Sequence, residues 1–195
     1  MKKFLIVLAG PTSSGKTQLS IEIAKHFRSE IISADARQFY LEMDIGTAKP
    51  NIDQLSQVPH HFINHLHIHD EYSAGAFENE AISFLKGIFS QHQSAVLVGG
   101  SGLFIKAVVE GFDSFPPAHE NVFDEMKKMF YEMGIEPLQK LLLEYDPVYY
   151  KIVDLNNPQR LIRALTVCIS SGKPYSSFRN QRSKERGFIP IKIGY

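Results

Sequence analysis

One stretch restricts the possible folds more than any other: "FLIVLAGPTSSGKTQLSIEIAKHF", residues 4–27. A continuous apolar run stopped by glycine reads as a strand buried on both faces, and Leu19, Ile23 and Phe27 then recur at helical spacing. Between them "GPTSSGKT" fits the phosphate-loop pattern G-x-x-x-x-G-K-[ST]. Gly10, Pro11, Thr12, Ser13, Ser14, Gly15, Lys16 and Thr17 are its candidate binding residues. Glycines let successive backbone N–H groups curl around phosphate oxygens, and the helix N-terminus adds a favourable dipole. Lys16 is placed to reach the terminal phosphates and Thr17 to offer its hydroxyl to Mg²⁺. A chance turn would not have a strand and a helix on either side, so nucleotide or diphosphate binding is expected. The basic start of "MKKFLIVLAG" resembles a signal peptide, but the apolar part is short and runs straight into the loop.

Further short apolar runs, "EIISAD" and "SAVLVGG", read as strands. They alternate with helices carrying Phe77, Ala81, Leu85, Ile88 and Phe89, and then "SGLFIKAVVEG", closed by Gly111. This alternation predicts an α/β fold of the P-loop NTPase-like kind, a three-layer parallel sheet with helices on both faces. The pattern breaks at "FDSFPPAHEN", where two prolines end the unit and helical stretches follow without a strand. The expected organisation is a core over 1–115, a helical insertion over 116–156, and a return to the core over 157–195. That return consists of a helix entered at Asn157–Pro158 and left at Gly172, then a last strand in "FIPIKIGY".

With 195 residues, 44% apolar and 22% charged, the chain can bury one good core, or a core plus a small lobe. Zero formal net charge excludes a global basic field, so a polyanion must be met by local patches. One such patch is expected between Lys173 and Lys192, with Arg179, Arg182, Lys184 and Arg186 against Glu185 alone. The single cysteine, Cys168, falls in an apolar helical run and reads as a packed core thiol in a reducing compartment. No stretch is long enough to span a bilayer, so a cytoplasmic, monomeric protein without membrane contact is expected. His60, His61, His65, His67 and His69 crowd one loop; lining a crevice is the expected role, and a structural metal the alternative.

A hydrolytic ATPase or GTPase of this class holds magnesium with an acid ending a later apolar strand. Here that strand, "AVLVGGSG", ends in glycines, while an acid, Asp35, ends the second strand in "IISADARQFY". Groups just outside the carboxyl ends of parallel strands line the ligand crevice. Asp35 is therefore placed to take a proton from an incoming nucleophile, with a turn or capping Asp as the alternative. Arg37 offers a planar fork and Gln38 both a donor and an acceptor, suited to phosphate or a base edge; an ordinary solvated loop is the alternative.

Six blocks in order, "GPTSSGKT", "SADARQFYLEMDIGTAKP", "VPHHFI", "YSAGAFENEA", "VLVGGSGLFIKAV" and "NNPQRLIRAL…SGKP", resemble the tRNA dimethylallyltransferase (tRNA isopentenyltransferase) family. The resemblance implies transfer of a dimethylallyl group from dimethylallyl diphosphate to the exocyclic amine of the adenine just 3′ of the anticodon. Pyrophosphate is released and Mg²⁺ is required. It implies that the loop holds a prenyl diphosphate, that Asp35 is the general base, and that Lys16 and Ser101 complete the catalytic set. It also implies anticodon stem-loop contacts from Asp35, Ala36, Arg37, Gln38 and Ser101, and from Gln159, Arg160, Leu161, Ile162 and Arg163. The helical insertion would be a mobile lobe that closes over tRNA. By position, Asp44 and Lys49 in "MDIGTAKP" are expected to shape the wall of the site, with a plain turn as the alternative.

The chain departs from the family at three positions. Ser101 stands where Thr is common, Phe104 where Tyr is common, and Phe123 at a tRNA-touching position often occupied by Arg. The family also continues well beyond 195 residues, so the chain is expected to be truncated relative to it. A small-molecule kinase is the alternative enzyme, though the insertion lacks the arginines of a kinase lid. A nucleotide-sensing module without catalysis is the alternative outside enzymes.

Overall fold

The computed structural model describes residues 1–113, 115–117, 119–179 and 185–194. Two compact units emerge, one of residues 1–112 and 183–195, the other of residues 113–182.

The first unit is built on a five-stranded, all-parallel sheet. Its strands are β1 (Phe4–Ala9), β2 (Ile31–Ser33), β3 (His60–His61), β4 (Ser94–Gly99) and β5 (Ile189–Gly194), in the order β3-β2-β4-β1-β5. The central strand segments are the continuous apolar runs, and Leu5, Leu8, Ile31, Ile32, Ala95, Val96 and Leu97 are fully buried, as a sheet covered on both faces requires. The connections run through α1 (Lys16–His26), the one-turn α2 (Ile52–Leu55), α3 (Ala74–Gln91) and α4 (Gly102–Val109). Phe39, Phe62 and Phe77 anchor the core beneath α3, and Phe104 stacks edge-on against Phe39 and Phe77. A phenylalanine at 104 therefore serves as packing.

Two features escape a reading by pattern. His60 and His61, expected in a loop, form the short edge strand β3, paired in register with Ile31 and Ile32. Arg186, expected in an exposed basic patch, is only slightly exposed and is drawn into the unit by partners. Its Nη2 donates to Glu78 Oε1 at 2.9 Å and to the Ala107 carbonyl at 2.7 Å, while Glu78 Oε2 accepts from Phe112 N at 3.0 Å. One carboxylate on α3 thus holds both the point where the chain leaves this unit and the point where it returns. Of the remaining patch, Arg182 and Lys184 lie outside the described residues, and Lys192 pairs with Glu110 at 3.3 Å.

The second unit consists of α5 (Glu120–Met133), α6 (Glu136–Tyr145), α7 (Pro147–Tyr150), α8 (Pro158–Ser171) and a 3₁₀ turn, Tyr175–Phe178. It has its own core of Met126, Leu138, Leu142, Leu161, Ile162 and Leu165. This corrects the expected boundaries: α8 does not rejoin the sheet but packs its apolar face on α5 and α6, and only the residues after 182 return. Asn157 caps α8 through its side chain, and Gly172 ends it in the left-handed region. Asp146, fully buried, caps α7 at Tyr149 N and accepts from both Ser176 N and Ser176 Oγ, fastening the 3₁₀ turn. Cys168 is buried as expected, and burial raises its thiol pKa.

Candidate functional site

The loop between β1 and α1 takes the shape its glycines permit. Ser13 (φ 64°) and Gly15 (φ 91°) both lie in the left-handed region, and Gly15 is the N-cap of α1. Lys16 is buried at 8% exposure, and its Nζ donates to the Pro11 carbonyl and, at 3.3 Å, to Ser14 Oγ. Burial lowers its pKa, and the charge of Asp35 works against that shift. Thr12, Ser13, Lys16, Thr17, Asp35 and Gln38 line one cavity at the carboxyl ends of the strands.

Close strand contact sets the position of Asp35. Ala34 N donates to the Val98 carbonyl at 2.7 Å, and a side chain at Gly99 would put its Cβ 2.3 Å from the Ala34 carbonyl oxygen. No side chain fits at Gly99, the last residue of β4, which is where a hydrolytic enzyme would keep an acid. At Gly100 a Cβ would stand 3.6 Å from Asp35 Oδ2 and 3.5 Å from the Gly10 carbonyl, so one carboxylate oxygen lies beside the phosphate loop. The other, Oδ1, accepts from Arg37 N at 3.1 Å. Ser101 Oγ accepts from Ala36 N at 3.1 Å, tying the start of α4 to the residue after Asp35. Ser101 therefore positions this turn.

Arg37 is exposed, and its guanidinium has no hydrogen bond or ion pair among the described residues. Gln38 is committed internally. Its amide nitrogen donates to the Thr47 and Ala48 carbonyls at 3.2 and 3.1 Å, and its oxygen accepts from Ser33 Oγ at 3.0 Å. Both amide hydrogens are thus used within the chain, leaving one acceptor lone pair for any ligand. Lys49 Nζ donates to the Tyr40 carbonyl at 2.6 Å and to Asp44 Oδ1 at 2.9 Å, so the pair braces the loop from which Ala48 and Pro50 reach the cavity.

Of the five clustered histidines, His60 lines the cavity. Its Nδ1 lies 2.8 Å from the Val58 carbonyl and its buried Nε2 has no partner among the described residues; burial lowers its pKa. His61 bonds Glu30 at 2.6 Å and His67 bonds Glu42 at 2.8 Å. Among the described residues no three metal-ligating side chains converge, so no protein cage for a metal is found there. A Mg²⁺ ion that keeps its waters and shares phosphate oxygens needs only one or two protein oxygens. The Thr17 hydroxyl, without a hydrogen bond among the described residues, and Asp35 share the cavity and suit such an ion.

The other expected RNA contacts lie in the second unit. Gln159, Arg160 and Arg163 are exposed at the start of α8, with the Arg163 guanidinium 5.8 Å from the Phe115 ring. Leu161 and Ile162 are core residues, 0% and 4% exposed, so their side chains cannot reach an RNA; the apolar stripe of an amphipathic helix faces its core, while Gln159, Arg160 and Arg163 fall on the polar side. Phe123 is half-buried against the second core, with Lys127 5.1 Å above its ring. No helix among the described residues is long and apolar enough to cross a membrane.

A family model described as IPP transferase matches residues 38–195. The chain is 54% identical over its whole length to a tRNA dimethylallyltransferase of Christiangramia forsetii, and spans 64% of that protein. It is 47% identical over 97% of its length to tRNA dimethylallyltransferase 1 of Bacteroides thetaiotaomicron, spanning 62% of it. Among solved structures, a eukaryotic dimethylallyltransferase acting on tRNA matches 99% of this chain and 48% of its own, with a TM-score of 0.84 at 25% identity. A full-length tRNA isopentenylpyrophosphate transferase from Bacillus halodurans matches 99% of this chain and 60% of its own, with a TM-score of 0.61 at 31% identity.

Proposed function

The chain belongs to the IPP transferase family, and from that premise we propose that it carries the donor site and general base of a tRNA dimethylallyltransferase. The proposed reaction moves a dimethylallyl group from its diphosphate to the exocyclic amine of the adenine just 3′ of the anticodon, releasing pyrophosphate. One observation carries this reading: Asp35 shares a cavity with Lys16 and the phosphate loop, while β4 ends on Gly99, where a hydrolytic enzyme would keep an acid.

In this reading the loop amides and Lys16 hold the diphosphate and take up the negative charge that grows on it as the allylic C–O bond breaks. A nucleobase amine is a weak nucleophile, so Asp35 accepts its proton as the new C–N bond forms, help worth about 10²–10⁴ in rate. Ser101 keeps Asp35 on station through Ala36 N. Thr17 would hold a Mg²⁺ ion beside the diphosphate, where the ion would supply further charge neutralisation. The adenine leaves its stack to reach the site, at a lower cost in a single-stranded loop than in a duplex. Arg37, with Gln159, Arg160 and Arg163, is assigned to the RNA backbone and loop.

The test compares Asp35→Ala with Lys16→Ala, using an anticodon stem-loop and a chain extended to the length of its relatives. Asp35→Ala is expected to lower transfer by at least about 10²-fold while diphosphate affinity stays within about threefold. Lys16→Ala is expected to weaken the diphosphate itself. Unchanged turnover in Asp35→Ala removes it as the base. Stabilisation of the wild-type chain by ATP but not by dimethylallyl diphosphate would favour a kinase instead.

A further inference from the structure

The chain on either side of one wall of the phosphate cavity carries two side chains that contribute almost no burial to the fold. Apart from the N-terminal methionine, Ile45 at 98% and Ile52 at 83% are the most exposed large apolar side chains among the described residues. Between them in the chain, Ala48 and Pro50 line the cavity. Consecutive Cα atoms are about 3.8 Å apart, so Ile45 lies within about 11 Å of Ala48 and Ile52 within about 8 Å of Pro50. One exposed isoleucine on a surface needs no explanation. Two of them, flanking the same wall of the same cavity, do.

Both stand on braced backbone. Ile45 and Gly46 form a turn whose tip is open, since a Cβ at Gly46 would meet nothing within 4 Å. Below the tip, Thr47 is buried and its hydroxyl donates to the Met43 and Asp44 carbonyls at 2.9 and 3.2 Å. Gln38 holds the Thr47 and Ala48 carbonyls, and Lys49 holds the Tyr40 carbonyl. On the other side, the capping box of Asn51 and Gln54 fixes the turn of α2 that Ile52 opens. Turn tips ordinarily favour Gly, Pro, Asn, Asp or Ser. A β-branched side chain has few rotamers to lose, so an isoleucine on such a support is preorganised for contact.

A free charge adjoins them. Arg37 lies between Asp35 and Gln38, which line the cavity, and its guanidinium is exposed with no partner among the described residues. Through the bonds of Gln38 to Thr47 and Ala48, the segment carrying that charge is joined to the segment carrying Ile45. A cation beside rigid apolar side chains suits a ligand with anionic links and flat apolar faces, which describes an unstacked single strand of RNA.

We infer that Ile45 and Ile52 pack against the bases on either side of the target adenine once it has left its stack. This rests on the reading that the acceptor is an adenine in a single-stranded tRNA loop. A base drawn out of a stack leaves its two neighbours with bare faces, and apolar wedges, isoleucine among them, are what proteins insert at such steps.

Fluorescence anisotropy with an anticodon stem-loop, read against salt, tests this on a chain extended to the length of its relatives. Ile45→Ser and Ile52→Ser are each expected to weaken stem-loop binding about fivefold, and the double variant by more than about tenfold. The slope of log Kd against log salt should not change, because no phosphate contact is lost, whereas Arg37→Ala should make it shallower by about one. Affinity for dimethylallyl diphosphate with Mg²⁺ should stay within about twofold, and the unfolding midpoint should hold, since neither side chain is buried. Ile45→Met should bind the stem-loop nearly as wild type does. A double variant that binds the stem-loop within about twofold of wild type would overturn the inference. So would a changed salt slope in the isoleucine variants, or an equal loss of diphosphate affinity. A wild-type chain that does not bind the stem-loop fails the acceptor reading itself, which is seen before any variant is made.

Discussion

Gly99 and Gly100 stand side by side yet answer to different constraints. At Gly99 a Cβ would meet the backbone of Ala34 at 2.3 Å, and a backbone carbonyl held in a sheet cannot give way. Gly99→Ala is expected to destabilise the first unit by about 3 kcal/mol, the upper end of ordinary overpacking, measured by urea unfolding. At Gly100 every contact would be ordinary, the nearest 3.5 Å, so Gly100→Ala should fold like wild type. Its methyl would, however, stand beside Asp35 Oδ2, and the proposed transfer should fall while the unfolding midpoint holds. Equal stability losses at the two positions would show that the close approach of β2 and β4 has been misjudged.

At the scale of elements, α3 does more than cover the sheet. Its Glu78 binds Arg186 ahead of β5 and Phe112 after α4, with side-chain exposures of 5% and 11% for the ion pair. Removing one partner of a buried pair strands the other charge, so Glu78→Ala is expected to cost about 3–5 kcal/mol. Replacing both with apolar residues, as in Glu78→Met with Arg186→Met, should recover much of that loss. Chemical denaturation of the two variants checks the order, and equal destabilisation would mean that the ion pair is not the clamp.

At the scale of the molecule, each unit has its own buried core, which makes separate opening possible. Leu142, 0% exposed in the second core, tests this. Leu142→Ala should cost about 2–5 kcal/mol within the helical unit, seen as lost amide protection in α5, α6 and α8. Protection in β1 and β4 should stay unchanged. Parallel loss in both units would show a single cooperative block instead.

The amino-acid order alone determined the features that depend on neighbours in the chain. The strand–loop–helix start was legible because GPTSSGKT needs only local backbone shape, and Asp35 because it ends an apolar run. The buried thiol of Cys168 followed from helical periodicity. Tertiary structure decided what depends on partners distant in sequence. Arg186 reads as surface charge until Glu78, 108 residues away, is brought to it. Leu161 and Ile162 read as part of an RNA face until they meet the helices of their own unit. Likewise Gln38 reads as a free amide until Thr47 and Ala48 fold back onto it. Periodicity records which face of an element is apolar, but which element covers that face is set by packing across the whole chain.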